Sequence, residues 1–159
     1  MNTRLVLFVF ALCLSIVTYG QHFAYDNNVR SLQVTRNNNP LLPPVLKLGK
    51  QSYLTISWDE MSHDYHHYTY RIEHCTREWQ PSTDIFESDY LQGTNNNPVE
   101  DYETSFNTTQ LYTHYSITFP NRNANVLLSG NYRLLVYDDG DTDSQPVLEA
   151  RFMVVEDGM

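Results

Sequence analysis

YTYRIEHC, Tyr68 to Cys75, alternates Tyr68, Tyr70, Ile72 and His74 with Thr69, Arg71, Glu73 and Cys75. Side chains along a strand point to opposite faces with a period of two, so one face of this stretch is aromatic and apolar and the other polar. The same period recurs on either side of it. YLTISWD (53–59) sets Leu54, Ile56 and Trp58 against Tyr53, Thr55 and Ser57. HYSITFP (114–120) puts Tyr115, Ile117 and Phe119 together, and Pro120 ends the run by removing a donor. NYRLLVY (131–137) offers Tyr132, Leu134 and Val136, and VLEARFMVV (147–155) offers Leu148, Ala150, Phe152 and Val154. VRSLQV (29–34) and PPVLKLG (43–49) are weaker candidates. No helical period competes with this pattern, which predicts an all-β chain: an immunoglobulin-like or fibronectin-III-like antiparallel β-sandwich of about seven strands.

The pieces between the strands are rich in Asn, Asp, Gly and Pro, residues that suit turns. Residues 80–109 are long for a connection, and loops beyond about 12–15 residues usually hide short structure or carry function. A short strand or helical turn is expected there. The tetrapeptide NNNP occurs at Asn37–Pro40 and at Asn95–Pro98 without similar flanks, which reads as compositional bias rather than a repeat.

At the start, Arg4 precedes an apolar run from Leu5 to Val17, with Thr18 and Gly20 at minus three and minus one of a cut before Gln21. This predicts a secretory signal peptide over 1–20 and one domain over 21–159. The run falls short of the ~20 apolar residues of a spanning helix, so no direct membrane insertion is expected. Leu12 before Cys13 does not fit a lipoprotein signal. Nineteen acidic residues against ten Lys and Arg give a net charge of −9. That balance repels phosphate backbones and anionic membranes, which argues against nucleic acid as a partner. Removal of the signal leaves Cys75 as the one cysteine, so no internal disulfide can form.

His74 and Cys75 look like a thiolate–imidazolium pair, but neighbours on a strand point to opposite faces. Cys75 therefore reads as a small apolar residue. HDYHH supplies His63, His66 and His67 beside Asp64, on a turn without the converging frame a zinc site needs. DDGDTD gathers Asp138, Asp139, Asp141 and Asp143, which could offer oxygen to calcium, yet no Glu stands at the EF-hand spacing. Metal binding by His63–His67 or Asp138–Asp143 stays open, and no catalytic, cofactor-binding or metal residue is assigned. Tyrosine is abundant, with 12 in the chain. Tyr90, Tyr102 and Tyr112 fall in or just after the long connection, where they serve either packing or an interface.

Taken in order, YRIEHCTREWQPS (70–82), DYLQG (89–93), DYETSFNT (101–108), YTHYSITFPN (112–121) and SGNYRLLVY (129–137) resemble the N-terminal domain of the type IX secretion system plug proteins of Bacteroidota. The resemblance runs from about residue 25 to about residue 156. It implies an immunoglobulin-like sandwich without catalytic residues, in the periplasm, in a protein that closes the periplasmic mouth of an outer-membrane translocon. It also implies structural positions for Cys75 and Trp79 at a strand end. Family proteins continue well beyond this domain, whereas this sequence ends at Met159, so a truncated or a stand-alone form is expected. The resulting expectation is a non-enzymatic, exported, cofactor-free domain that binds a protein, with the type IX translocon as candidate partner. The alternative is a carbohydrate-binding or hydrolase-accessory module in which exposed tyrosines form a flat stacking platform.

Overall fold

The computed structural model describes residues 22–62, 65–138 and 144–156. The expected signal peptide lies outside that range, as do His63, Asp64, Asp139, Asp141 and Asp143.

Each stretch with a two-residue period is a strand. The seven expected ones are β2 (Val29–Arg36), β3 (Val45–Lys47), β4 (Leu54–Glu60), β5 (Tyr68–Cys75), β9 (Thr113–Phe119), β11 (Gly130–Asp138) and β12 (Leu148–Val155). Short strands raise the count to twelve among the described residues: β1 (His22–Ala24), β6 (Leu91–Gly93), β7 (Asn97–Pro98), β8 (Asp101–Thr104) and β10 (Ala124–Val126). The long connection holds β6, β7, β8 and a single helical turn, α1 (Glu87–Tyr90).

Two sheets pack as a sandwich. One has the order β2-β4-β9-β8; the other runs β1-β12-β11-β5-β7, with β3 also on β12; β10 and β6 form a separate pair. All pairings are antiparallel except β3 with β12, where Val45–Lys47 run parallel to Met153–Val155. This departs from the fully antiparallel expectation. Because β11 occupies one edge of β12, β1 and β3 share the other, against Leu148–Ala150 and Met153–Val155.

The inner faces are the alternating sets read from the sequence. Leu54, Ile56, Trp58, Tyr70, Ile72, Ile117, Phe119, Tyr132, Leu134 and Phe152 all belong to the buried core. Phe119 and Phe152 meet across the two sheets with centroids 5.5 Å apart, and Trp58 stacks on Tyr115 at 5.5 Å while Tyr68 meets it edge-on at 5.7 Å. Burial of such rings is the main favourable term for a domain of this size. β11 is flanked on both edges and buries Leu135 and Tyr137 of its outer face as well.

The edge of β5 away from β11 is closed piece by piece. β7 pairs with Thr69 and Tyr70, and the side-chain amide of Asn95 stands in for a strand at Ile72, accepting its N–H at 2.6 Å and donating to its carbonyl at 2.9 Å. Residues 80–82 then take the strand's end, with Ser82 N–H donating to the His74 carbonyl at 2.9 Å. Exposed edges invite unwanted pairing, so such covers matter.

Candidate interaction surface

His74 and Cys75 separate as the strand geometry requires. His74 Nδ1 lies 2.8 Å from Ser82 Oγ, and its ring packs on Tyr132 and Tyr90. Cys75 is 3 % exposed, and burial, partly offset by the Arg133 charge, pushes its thiol up to about 11. A thiol so placed is a poor nucleophile at neutral pH.

The two polar turns singled out for metals meet each other. His66 Nδ1 lies 2.9 Å from Asp138 Oδ2, and His66 Nε2 lies 3.2 Å from Ser62 Oγ. By distance this is a Ser–His–Asp chain. The hydroxyl of Ser62, however, donates to Glu60 Oε2 at 2.8 Å, and Ser62 N–H donates to Glu60 Oε1 at 2.9 Å. The hydroxyl proton is thus directed at a carboxylate rather than at the imidazole that a nucleophilic serine would need as its base. The same bonds explain how Glu60, 1 % exposed, is tolerated at the inner end of β4. Among the described residues no three His, Cys, Asp or Glu side chains converge as metal ligands.

The open side of the sandwich lies between β7 of one sheet and β8 of the other. Tyr102 sits opposite the core residue Tyr115, so it faces inward, yet it stays 45 % exposed because β8 is the last strand of its sheet. Tyr65 packs beside it with centroids 5.1 Å apart and rings tilted by 58°. Behind them is a cleft of about 470 Å³, floored by Tyr68, Pro98 and Val99. Glu100 lines its rim, while Asp101 and Glu103 lie on the opposite face of β8, beside His114 and Ser116. Arg122 reaches Glu100 only at 4.0 Å, with both side chains in solvent, an ion pair worth little. No helix among the described residues is long and apolar enough to cross a membrane.

A family model described as the type 9 secretion system plug protein first domain matches residues 29–156. The chain belongs to this family. The chain also resembles a crystal structure of a hypothetical protein from Parabacteroides merdae ATCC 43184, with 28 % identity and a TM-score of 0.79. That match covers 84 % of this chain and 33 % of the other, so the chain spans about a third of the length of that relative. Pseudomonas fluorescens alkylpurine DNA glycosylase AlkC bound to abasic-site DNA matches 80 % of this chain and 30 % of its own at 13 % identity, with a TM-score of 0.38, too low to carry an argument. No functionally curated protein matches the chain.

The outer face of the β12-β11-β5 layer is a charge ladder that sequence reading missed. Arg133 pairs with Glu73 at 2.7 Å and approaches Glu149 at 3.9 Å, while Arg151 bonds Glu149 at 2.6 Å and Tyr25 donates to it at 3.0 Å. Arg151 also lies 4.6 Å above the Phe23 ring and 5.1 Å from the Trp79 ring. Register places Glu73, Arg133 and Arg151 side by side, a relation invisible until the strands are paired. The ladder is satisfied by its own members, which makes it a support for this face and leaves the β7–β8 side as the better candidate contact surface.

Proposed function

We propose that the chain is a non-enzymatic, exported domain that binds a protein of the type 9 secretion machinery on the periplasmic side of the outer membrane. The family match over residues 29–156 carries this reading. The strand order of the two sheets supports an immunoglobulin-like sandwich, an architecture that serves binding on many proteins, although fold alone never dictates function. The apolar run after Arg4 supports export, with residues 1–20 removed and 21–159 as the mature domain. A glycan platform is less well supported. Tyr65 and Tyr102 tilt by 58° and offer no common plane, and the nearly parallel Phe23 and Tyr25 have the Arg151 guanidinium over the Phe23 face.

Affinity capture tests the reading. The tagged chain, incubated with detergent-solubilised envelopes of a bacterium that uses type 9 secretion, is expected to enrich an outer-membrane secretion component over an unrelated acidic β-sandwich bait. No enrichment, together with retention on a glycan array, would favour the carbohydrate alternative.

A further inference from the structure

β8 has one partner and one open edge. It pairs with β9 alone, and Asp101–Thr104 make no other backbone hydrogen bond among the described residues. The Ser105 N–H donates to the Tyr112 carbonyl at 2.9 Å, one step beyond the Thr104–Thr113 pair and in the same register. In an antiparallel pair, residues alternate between exchanging both hydrogen bonds and exchanging none. Glu103 with His114 and Asp101 with Ser116 are therefore the bonded pairs, and Tyr102 and Thr104 turn their N–H and C=O groups to the open side. The edges of β5 and β12 are covered, the first by β7, Asn95 and residues 80–82, the second by β1 and β3. All four residues of β8 are exposed.

We propose that β8 accepts an extended segment of the protein partner as an added antiparallel or parallel strand, and that this segment alternates apolar with basic residues. The proposal rests on the protein-binding reading above and gives it a surface. An added strand would continue the sheet, so its side chains would fall alternately on the two sides that β8 presents. On the inner side lie Tyr102, Tyr65 and the 470 Å³ cleft over Pro98 and Val99, which suits an apolar residue or the stem of a long one. On the outer side Asp101 and Glu103 form no ion pair and no side-chain hydrogen bond among the described residues, and Asp59 stands two strands further in, on β4 next to His114 of β9. Lys or Arg there would meet unpaired carboxylates. The same charges oppose a second copy of this chain, because two β8 edges would bring Asp101 and Glu103 against their equivalents. The chain's net charge of −9 steers a basic segment toward it and repels an acidic one.

The probe is a short synthetic peptide of alternating Lys and Val, fluorescently labelled, titrated into the full chain by anisotropy, with a Glu and Val peptide as control. The Lys peptide is expected to bind, the Glu peptide is not, and amide exchange at Tyr102 and Thr104 is expected to slow on binding. Thr104→Pro removes an N–H on the open side and leaves the β8–β9 ladder intact. It is expected to weaken binding about tenfold or more, the order for a lost hydrogen bond plus a blocked approach, with the melting temperature little changed. Asp101→Lys with Glu103→Lys is expected to abolish preference for the Lys peptide, and it decides the matter should the proline variant fail to fold. Absence of binding by the Lys peptide, or undiminished binding to folded Thr104→Pro, overturns the proposal. Affinity capture separates the two claims. Proteins retained equally by wild type and Thr104→Pro leave the protein-binding reading standing and remove β8 as its surface, whereas a wild-type bait that retains nothing removes the reading itself.

Discussion

Trp58→Ala removes the largest side chain of the core. Trp58 is 0 % exposed, stacked on Tyr115 with an interplanar angle of 12° and met edge-on by Tyr68. A buried Trp or Phe truncated to Ala costs about 3–5 kcal/mol, and aromatic pairs add about 0.5–1.5 kcal/mol each beyond area burial. One effect opposes these: Trp58 Nε1 is buried without a hydrogen-bond acceptor, so truncation also removes an unpaired donor. The upper end of the range is thereby trimmed, and a net loss of about 4 kcal/mol is expected out of a total of roughly 5–15 kcal/mol. At about 4 °C per kcal/mol for a domain of this size, the melting temperature should fall by roughly 15 °C. Urea denaturation measures the loss of free energy, and thermal denaturation, both followed by circular dichroism, measures the fall in melting temperature. Trp58→Phe is the internal control, since it keeps most of the ring contact and discards the orphan N–H; its loss should be well under half that of Trp58→Ala. An unchanged midpoint for Trp58→Ala would refute the placement of Trp58 between the sheets and, with it, the register of β4.

Asn95→Ala should cost about 1–3 kcal/mol, because Ile72 N–H loses its acceptor while its carbonyl keeps the Tyr90 hydroxyl at 3.3 Å; chemical denaturation measures this, and a neutral result would mean that the β5 edge is closed some other way. The Cys75 thiol, buried and pushed up to about 11, should react with an aromatic disulfide reagent far more slowly in the native chain than in urea, and Cys75→Ser should lose about 1–3 kcal/mol in the same denaturation assay. His22 is lowered from its ordinary value, first by burial and then by the Arg151 charge, and its Nδ1 accepts the Arg151 backbone N–H at 3.2 Å. The unfolded chain therefore binds this proton more readily than the folded one, so the stability due to β1 is complete above about pH 6.5 and declines as pH falls below it. Amide exchange near Ala150 and Arg151 should speed up on going from pH 7.5 to 5.5 after correction for intrinsic rates, and His22→Gln should flatten that dependence.

The strands that form the sandwich were legible because their signal is local. Leu54, Ile56 and Trp58, or Tyr132, Leu134 and Val136, declare a buried face through a two-residue period that needs no knowledge of the partner strand. The short strands lacked that signal. β7 is an Asn-Pro pair held by its register with Thr69 and Tyr70, and Asn95 acts as a strand only through its side chain, 23 residues from Ile72. β8, with the sequence DYET, has all four residues exposed and therefore no buried alternation to read. Burial of Leu135 and Tyr137 on the outer face of β11 likewise follows from its central place between β5 and β12. The candidate site was less legible than the fold for the same reason. His66 and Asp138 belong to separate candidate metal clusters in the sequence, and their 2.9 Å contact joins residues 72 positions apart. In the sequence Tyr102 is one tyrosine among several of the long connection, and only the pairing with Tyr115 shows that it faces the open mouth between the sheets.

The most direct measurement is photo-crosslinking in cells that use type 9 secretion, with a photoreactive phenylalanine placed in turn at the exposed positions Leu41, Phe86, Tyr102, Phe106 and Met153. The account predicts a discrete protein adduct from Tyr102, identified by mass spectrometry as a component of the secretion machinery, and little from Leu41 on the loop between β2 and β3. Protein adducts from none of the five positions would contradict it.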